Sequence, residues 1–457
     1  MHRRHTRRQF LAETSAIGLG AWIAGPNLMG LERSANERIR IACIGVGGKG
    51  SSDTDQASNY GDIVALCDID ESRLNEKRTG ERFAQARVFN DFRKMLEQLE
   101  TSIDAVTVST PDHTHAVASM MAIRLKKHVY TQKPLTWSVH EARALREAAK
   151  KYGVCTQMGN QGQALDGSRT SIEIIRSGVL GNVHTVHVWT DRCGRFWKQA
   201  PDVVARPTDN PAVPPHVHWD LFLGPAPDRP YHPAYHPFAW RGWRDFGTGA
   251  LGDMACHEAN MAFLALKLQH PTAVSAEHSE VNPETFQQWA TVTFEFPAGE
   301  GHGPVKFLWW EGIRNGGRNL PAAELFHGEK IEDNGLLIIG TKGTLYCPDP
   351  YGATYRLLPK ANFDGFKPPE PILPRLGEGN NDDHQKREWI AAIRAERPDL
   401  AMSHFGYAGL LTEAMLLGNV AIRADQRIEW DGPTMKIPNL PSAEQYLGRE
   451  NRRGWTM

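Results

Sequence analysis

A short apolar run, Ile39 to Ile44, leads straight into Gly45-Val-Gly47-Gly-Lys-Gly50, and no other stretch restricts the fold so tightly. The run reads as a buried strand. The first glycine permits a tight turn, the second lets backbone N–H groups approach a pyrophosphate, and the third lets the following helix pack close to the strand. A second apolar run, Ile63-Val-Ala-Leu-Cys-Asp68, ends in an acid 18 residues past Gly50. A carboxylate there hydrogen-bonds adenosine ribose hydroxyls and repels a 2′-phosphate, which favours NAD over NADP. Gly45, Gly47, Gly48, Gly50 and Asp68 are therefore candidate cofactor residues.

The alternation continues. Asp104–Ser109 reads as a strand ending in Thr110-Pro111, and a helix-period stretch then runs to Lys126. His128–Thr131 leads into Gln132-Lys133-Pro134, a helix is predicted from about Ser138 to Lys151, and the strand Val154–Gln157 closes this half. Such β-then-α units imply a doubly wound parallel α/β sheet, the Rossmann arrangement, with ligand at the carboxyl ends of its strands. This domain is predicted to span 38–160.

An α+β domain with an open, mostly antiparallel sheet is predicted over 161–431, followed by a C-terminal tail, 432–457. Its strands are expected from about Val183 to Trp189, Ala290 to Phe296, Lys306 to Trp310, Leu336 to Gly340 and Gly343 to Tyr346. The Pro- and Gly-rich stretch 348–383 is expected to wrap the surface. A helix is expected from Asp383 to Arg397, with Trp389, Ile390, Ala391 and Ile393 partly buried.

Composition narrows the class. With 52 Lys plus Arg against 53 Asp plus Glu, the formal charge is −1, which argues against a dominant nucleic-acid footprint. At 40% hydrophobic and 23% charged, the chain can bury substantial cores. The six cysteines are scattered with no C-x-x-C pair, so neither a disulfide scaffold nor a zinc ribbon is indicated. Residues 1–35 read as an address and linker: Thr6-Arg7-Arg8-Gln9-Phe10-Leu11 matches the twin-arginine export pattern. Glu13, the glycines and Pro26 argue against a stable membrane span there, so a periplasmic or otherwise exported protein without stable membrane insertion is expected. An exported protein would have to load a nicotinamide cofactor before leaving the cytoplasm, so tight binding is expected.

Gly45–Gly50, Thr110-Pro111 with His115, Lys133-Pro134, and Gly249-Ala-Leu-Gly-Asp253 with His257 together resemble the motifs of the glucose–fructose oxidoreductase / inositol dehydrogenase / MocA (Gfo/Idh/MocA) family. Leu417–Ile422 and Ile428–Asp431 are similar to that family's closing helix and strand. The resemblance covers most of the chain after residue 38. It implies a Rossmann domain, a second domain whose open sheet covers the nicotinamide, and a homo-oligomer, dimer or tetramer. It also implies that Thr110, Pro111, His115, Gln132 and Lys133 lie by the cofactor, and that Lys133, Asp253 and His257 face the substrate carbon. The chain departs from the pattern at Gln132, where the family has Glu, which removes a charge beside Lys133. The family's terminal acid after His257 is also missing, Asn260 and Met261 standing in that region.

Hydride transfer from an alcohol carbon needs a base for the hydroxyl proton and a cation or donor for the developing alkoxide. Lys133 suits the second task. Asp253 and His257 are four apart and share a face if helical, so His257 can accept the proton while Asp253 pairs with it or with Lys133. The other reading of this pair is a helix-surface pair or a satisfied core histidine. Region 189–245 is dense in aromatic and imidazole side chains and broken by prolines, so it reads as a long structured loop. Trp240, Arg241 and Trp243 suit a polyhydroxylated ring; equally, the loop could pack on a partner subunit. Histidine pairs at 113/115, 216/218 and 232/236 lack a third and fourth ligand at recognised spacing, so no metal is expected.

Two enzymatic readings follow. One is an NAD-dependent oxidoreductase acting on a sugar, cyclitol or glycoside hydroxyl. The other is an NAD-dependent glycosidase that uses transient oxidation, elimination and re-reduction with a retained cofactor. A non-catalytic NAD-binding sensor or assembly subunit is the third reading, disfavoured by the presence of all three polar residues.

Overall fold

A computed structural model describes residues 38–457; the export segment expected at the N-terminus lies outside the described residues. The first sheet comprises β1 (Ile39–Ile44), β2 (Gly61–Cys67), β3 (Arg87–Phe89), β4 (Ala105–Val108), β5 (His128–Gln132) and β6 (Thr156–Gly159). All neighbours are parallel, in the order β3-β2-β1-β4-β5-β6. A sheet covered on both faces needs apolar side chains on both, and Ile41, Ala42, Cys43, Leu66 and Val106 are all fully buried. The strand order reverses between β1 and β4, where Ile44 sits opposite Val108. Gly45 and Ser109 thus leave the sheet side by side, opening the crevice that doubly wound sheets use for ligands.

The second sheet holds β7 (Val183–Thr190), β8 (Ala273–His278), β9 (Trp289–Phe296), β10 (Val305–Arg314), β11 (Gly317–Arg318), β12 (Gly335–Gly340), β13 (Thr344–Cys347), β14 (Arg356–Leu358) and β15 (Ile428–Glu429). Its order is β14-β13-β12-β7-β10-β9-β8-β15, with β11 on β10. Only β7 and β10 run parallel; the other pairs are antiparallel. Ala290, Val292, Phe294 and Phe307 form its buried face. The helix Phe405–Ala424 lies in the core, its residues from Ala408 to Gly418 all buried. It is long and apolar enough to cross a membrane, but here that apolar surface packs inside the protein.

Three stretches differ from expectation. A helix, Asp166–Arg176, follows the first sheet after one short 3-10 turn, Gln161–Ala164. Within the stretch expected to wrap the surface, Tyr351–Ala353 packs inward: a Cβ on Gly162 would meet the Tyr351 carbonyl oxygen at 2.5 Å, and one on Gly167 the Ala353 oxygen at 1.9 Å. The expected helix at 383–397 spans Asn381–Arg394, capped by Asn380, and lies against the first sheet. Its Trp389 is fully buried beside Tyr130, ring centroids 5.8 Å apart.

Candidate active site

The nucleotide end of the crevice is made largely of backbone. Gly45 takes φ 78°, and a Cβ there would meet the Ser109 carbonyl oxygen at 2.4 Å. A Cβ on Gly50 would meet the Gly45 oxygen at 2.0 Å, whereas Gly48, at φ 53°, has nothing within 4 Å. The turn is thus closed against its own strand and open towards the cleft, which is what a pyrophosphate requires. Asp68 stands at the end of β2 and lines the cleft with Gly45, Gly47 and Gly48. Its carboxylate accepts from Val46 N (2.9 Å) and Asp70 N (3.0 Å), so it fixes the turn at the edge of the cleft. Burial raises its pKa against those two bonds. Arg73 lies alongside, its Cδ 2.3 Å from where a Gly47 Cβ would be.

Thr110, Pro111, Gln132 and Lys133 also line the cleft. His115 does not. Its Nδ1 lies 2.8 Å from the Pro134 carbonyl oxygen and its Nε2 2.7 Å from that of Thr110, so the ring ties the two cleft-lining loops together instead of meeting the cofactor. Gln132 donates from Nε2 to Asp53 Oδ2 at 2.8 Å. The charge absent at 132 is therefore present one shell away. Asp53 is fully buried and ion-paired to Lys386 at 2.7 Å, itself fully buried, and to Lys49 at 3.2 Å. Burial would raise the Asp53 pKa, but Lys386 and then Lys49 bring it down to about 2. Neither Asp53 nor Lys386 was singled out from the sequence, because their pairing spans 333 residues.

At the other end, side chains from distant elements meet. Lys133 follows β5, and Asp253 lies on the helix Gly249–Glu258. Lys133 Nζ donates to Asp253 Oδ1 at 2.5 Å. Arg241 adds a second cation to the same oxygen at 3.1 Å and pairs with Asp112 at 3.1 Å. Burial alone would raise the Asp253 pKa; Arg241, then Lys133, hold it far below the usual carboxylate range. His257 follows one turn later, is 5% exposed, and neither ring nitrogen has a hydrogen-bond partner among the described residues. Its ring meets Tyr351 edge-on, centroids 5.0 Å apart. Burial, then the Lys133 cation, push the imidazole well below its ordinary pKa. Lys133 reaches the cleft itself, whereas Asp253 and His257 stand behind its lining, and burial with the Lys133 cation holds the imidazole in its neutral form.

The aromatic loop divides. Trp240 and Arg241 line the cleft, the guanidinium carbon 4.4 Å from the Trp240 ring centre. Trp243 does not reach it: 1% exposed, it donates from Nε1 to the Ala234 oxygen and packs on Tyr235, so it is a core residue of the loop. The loop also crosses to the nucleotide half. Val217 bridges Asp70, Glu71 N donates to the His216 oxygen and His218 N to the Ile69 oxygen, both at 2.9 Å. His236, Pro237 and the 65% exposed Phe238 flank the cleft from this side. No group of three or more His, Cys, Asp or Glu side chains that could hold a metal occurs among the described residues.

Residues 39–160 match the oxidoreductase family's NAD-binding Rossmann fold (Gfo/Idh/MocA), and 168–301 match the same family's C-terminal alpha/beta domain. Among curated relatives, the D-glucoside 3-dehydrogenase of Escherichia coli is 32% identical over 164 residues, covering 34% of this chain and 44% of that protein. A glycosyl hydrolase family 109 protein of Shewanella pealeana is 26% identical over 168 residues, covering 35% of this chain and 37% of its own length. The chain spans less than half the length of the first curated relatives it matches, 36–44%. The WlbA dehydrogenase of Bordetella pertussis, solved with NADH and UDP-GlcNAcA, shares the fold at a TM-score of 0.57 and 16% identity, over 86% of this chain and 99% of that one. The two matched domains follow each other over more than half of the chain, and the chain belongs to the Gfo/Idh/MocA oxidoreductase family, with NAD as the cofactor of its first domain.

Proposed function

We propose that this protein is an NAD-dependent oxidoreductase acting on a secondary hydroxyl of a sugar, cyclitol or glycoside. The observation that carries the reading is the Lys133–Asp253 pair with the unpartnered imidazole of His257 one turn along the same helix. The bound dinucleotide supplies the hydride acceptor. Lys133 steadies the negative charge that develops on the substrate oxygen. Asp253, with Arg241 and Asp112 behind it, fixes the ammonium in place. His257, neutral through burial, takes the hydroxyl proton. Trp240 and Arg241 face the sugar ring; Trp243 is left out of that set. The Asp68 carboxylate favours NAD over NADP. The test is turnover of sugars and cyclitols with NAD and with NADP, against His257→Ala. Reduced cofactor formed equally fast by the variant would overturn the assignment.

A second reading, redox-neutral glycoside cleavage, is favoured by the loop that ties residues 216–218 to residues 69–71 across the cleft, since a strapped dinucleotide would stay with its protein. The sequence relationship to a glycosyl hydrolase family 109 protein supports the same idea. Aryl glycosides incubated without added NAD separate the two readings. Release of the aglycone with no accumulation of NADH selects the cleavage. We extend the proposal to twin-arginine export, on the Arg7-Arg8 pattern, and to a dimer or tetramer, on the family resemblance. Cell fractionation and light scattering test these in turn.

A further inference from the structure

At Gly247 and Thr248, just before the helix that carries Asp253 and His257, lies a second, smaller cavity, walled by Trp137, Phe286 and Tyr446 and containing Arg244, Arg423 and Asn419. It shares no lining residue with the dinucleotide cleft. Its polar groups are unusual. Arg244 is only 7% exposed; its Nε donates to the Asn282 oxygen at 3.0 Å, but its Nη2 is buried without a partner. Arg423 lies over the Tyr446 ring at 4.2 Å. Neither guanidinium makes an ion pair with a carboxylate among the described residues; Glu311 acts on Arg244 and Asp245 on Arg423 only at longer range. Arg423 is close enough to weigh on Arg244, whose pKa falls to about 9, chiefly through burial and then through that second cation. Asn419 donates from Nδ2 to the Thr248 oxygen at 2.9 Å and keeps a buried, unpartnered Oδ1.

A buried cation without a counter-charge is costly, and so is a buried donor or acceptor without a partner. One ligand would satisfy all three groups: an anionic oxygen for Arg244 and Arg423, and a hydroxyl hydrogen for Asn419 Oδ1. We infer that this cavity is a binding site for a small hydroxylated oxyanion of the hydrogen-phosphate class, separate from the cofactor and substrate cleft. A ligand there would sit against Gly247 and Thr248, immediately before the catalytic helix. Thr248 already binds Asp112 through N and Oγ1, and Asp112 holds Arg241.

The test uses the full chain saturated with NAD, so that the glycine turn is already filled. Thermal unfolding is followed while inorganic phosphate, sulfate or chloride is added at matched ionic strength. Phosphate should raise the melting temperature saturably, sulfate less because it carries no proton at neutral pH, and chloride least. Arg423→Gln, at an exposed position, should weaken the phosphate response about tenfold, the loss of one charge-assisted bond. Asn419→Ala should bring phosphate down to the level of sulfate. Equal responses to all three anions, or an unchanged response in Arg423→Gln, would overturn the site. Failure of the sugar-oxidation assays would leave this result untouched, because the readout is stability and not turnover.

Discussion

The two ends of the main cleft are built on different principles. At the nucleotide end, conformation decides: Gly45, Gly48 and Gly50 create a turn whose geometry follows from missing side chains within a few residues of sequence. At the other end, Lys133, Arg241 and the helix that carries Asp253 and His257 come from separate parts of the chain, and their meaning comes from distances that tertiary packing sets. A backbone cradle depends on a motif. A charge constellation depends on the whole fold around it.

If the two ends are separable, changing one should leave the other working. His257→Ala should lower turnover by about 10²- to 10⁴-fold, the usual worth of a positioned proton acceptor. NAD binding, read by protein fluorescence, should stay near its original strength. Conversely, Gly50→Ala, which drives a Cβ into the Gly45 carbonyl, should abolish NAD binding and turnover together. Joint loss of NAD binding in His257→Ala would erase the distinction.

The next effect tests the support beneath both ends. Asp53→Ala strands the fully buried Lys386 and should cost about 3–5 kcal/mol in denaturant unfolding. Replacing the pair together, Asp53→Leu with Lys386→Met, should recover most of that loss, because no lone charge remains. Recovery would assign the pair to support and not to chemistry.

Two tryptophans three residues apart sharpen the contrast. Trp243→Ala empties a core site and should cost about 3–5 kcal/mol. Trp240→Ala should leave the melting temperature almost unchanged and raise KM several-fold. Sequence could not separate them: both are tryptophans in one aromatic loop, and only the course of that loop turns one inward and the other to the cleft. Much else was readable. The glycine turn, Asp68 and the strand–helix alternation are local, so the first sheet could be drawn from its period and its punctuation. Motifs point to Lys133, Asp253 and His257, but only the packing shows Lys133 meeting the helix that carries the other two. Asp53 and Lys386 escaped notice because nothing near either residue marks it as the partner of a group in the other half of the chain. His115 misled for a related reason, since proximity to a cofactor motif does not say which way a ring faces.

Stability also depends on pH. Burial brings His113 to about 3 and His187 and His236 to about 4, all below 6.5. The unfolded chain therefore takes their protons first, and acidification below 6.5 destabilises the protein by up to about 1.4 kcal/mol per pH unit and group. Burial raises Glu141 and Glu311 to about 7, so between pH 7 and 4.5 the folded protein takes those protons first and gains stability. The glutamates therefore offset part of the histidine loss down to about pH 4.5. Below that the glutamates contribute no further change, the histidines continue, and Asp53, held down to about 2, joins them, so stability should fall steeply. A calorimetric series across this range would show the bend, and a single uniform slope would contradict the assignment.

The helix Asn381–Arg394, which lays Trp389 and Lys386 into the first sheet, has a consequence for anyone recombining such proteins. The nucleotide-holding body is stitched from two stretches far apart along the polypeptide. A chimera that grafts a foreign front half at residue 160 would inherit a helix fitted to another surface and a buried lysine, Lys386, facing the wrong neighbour. Both stretches must travel together for the graft to take.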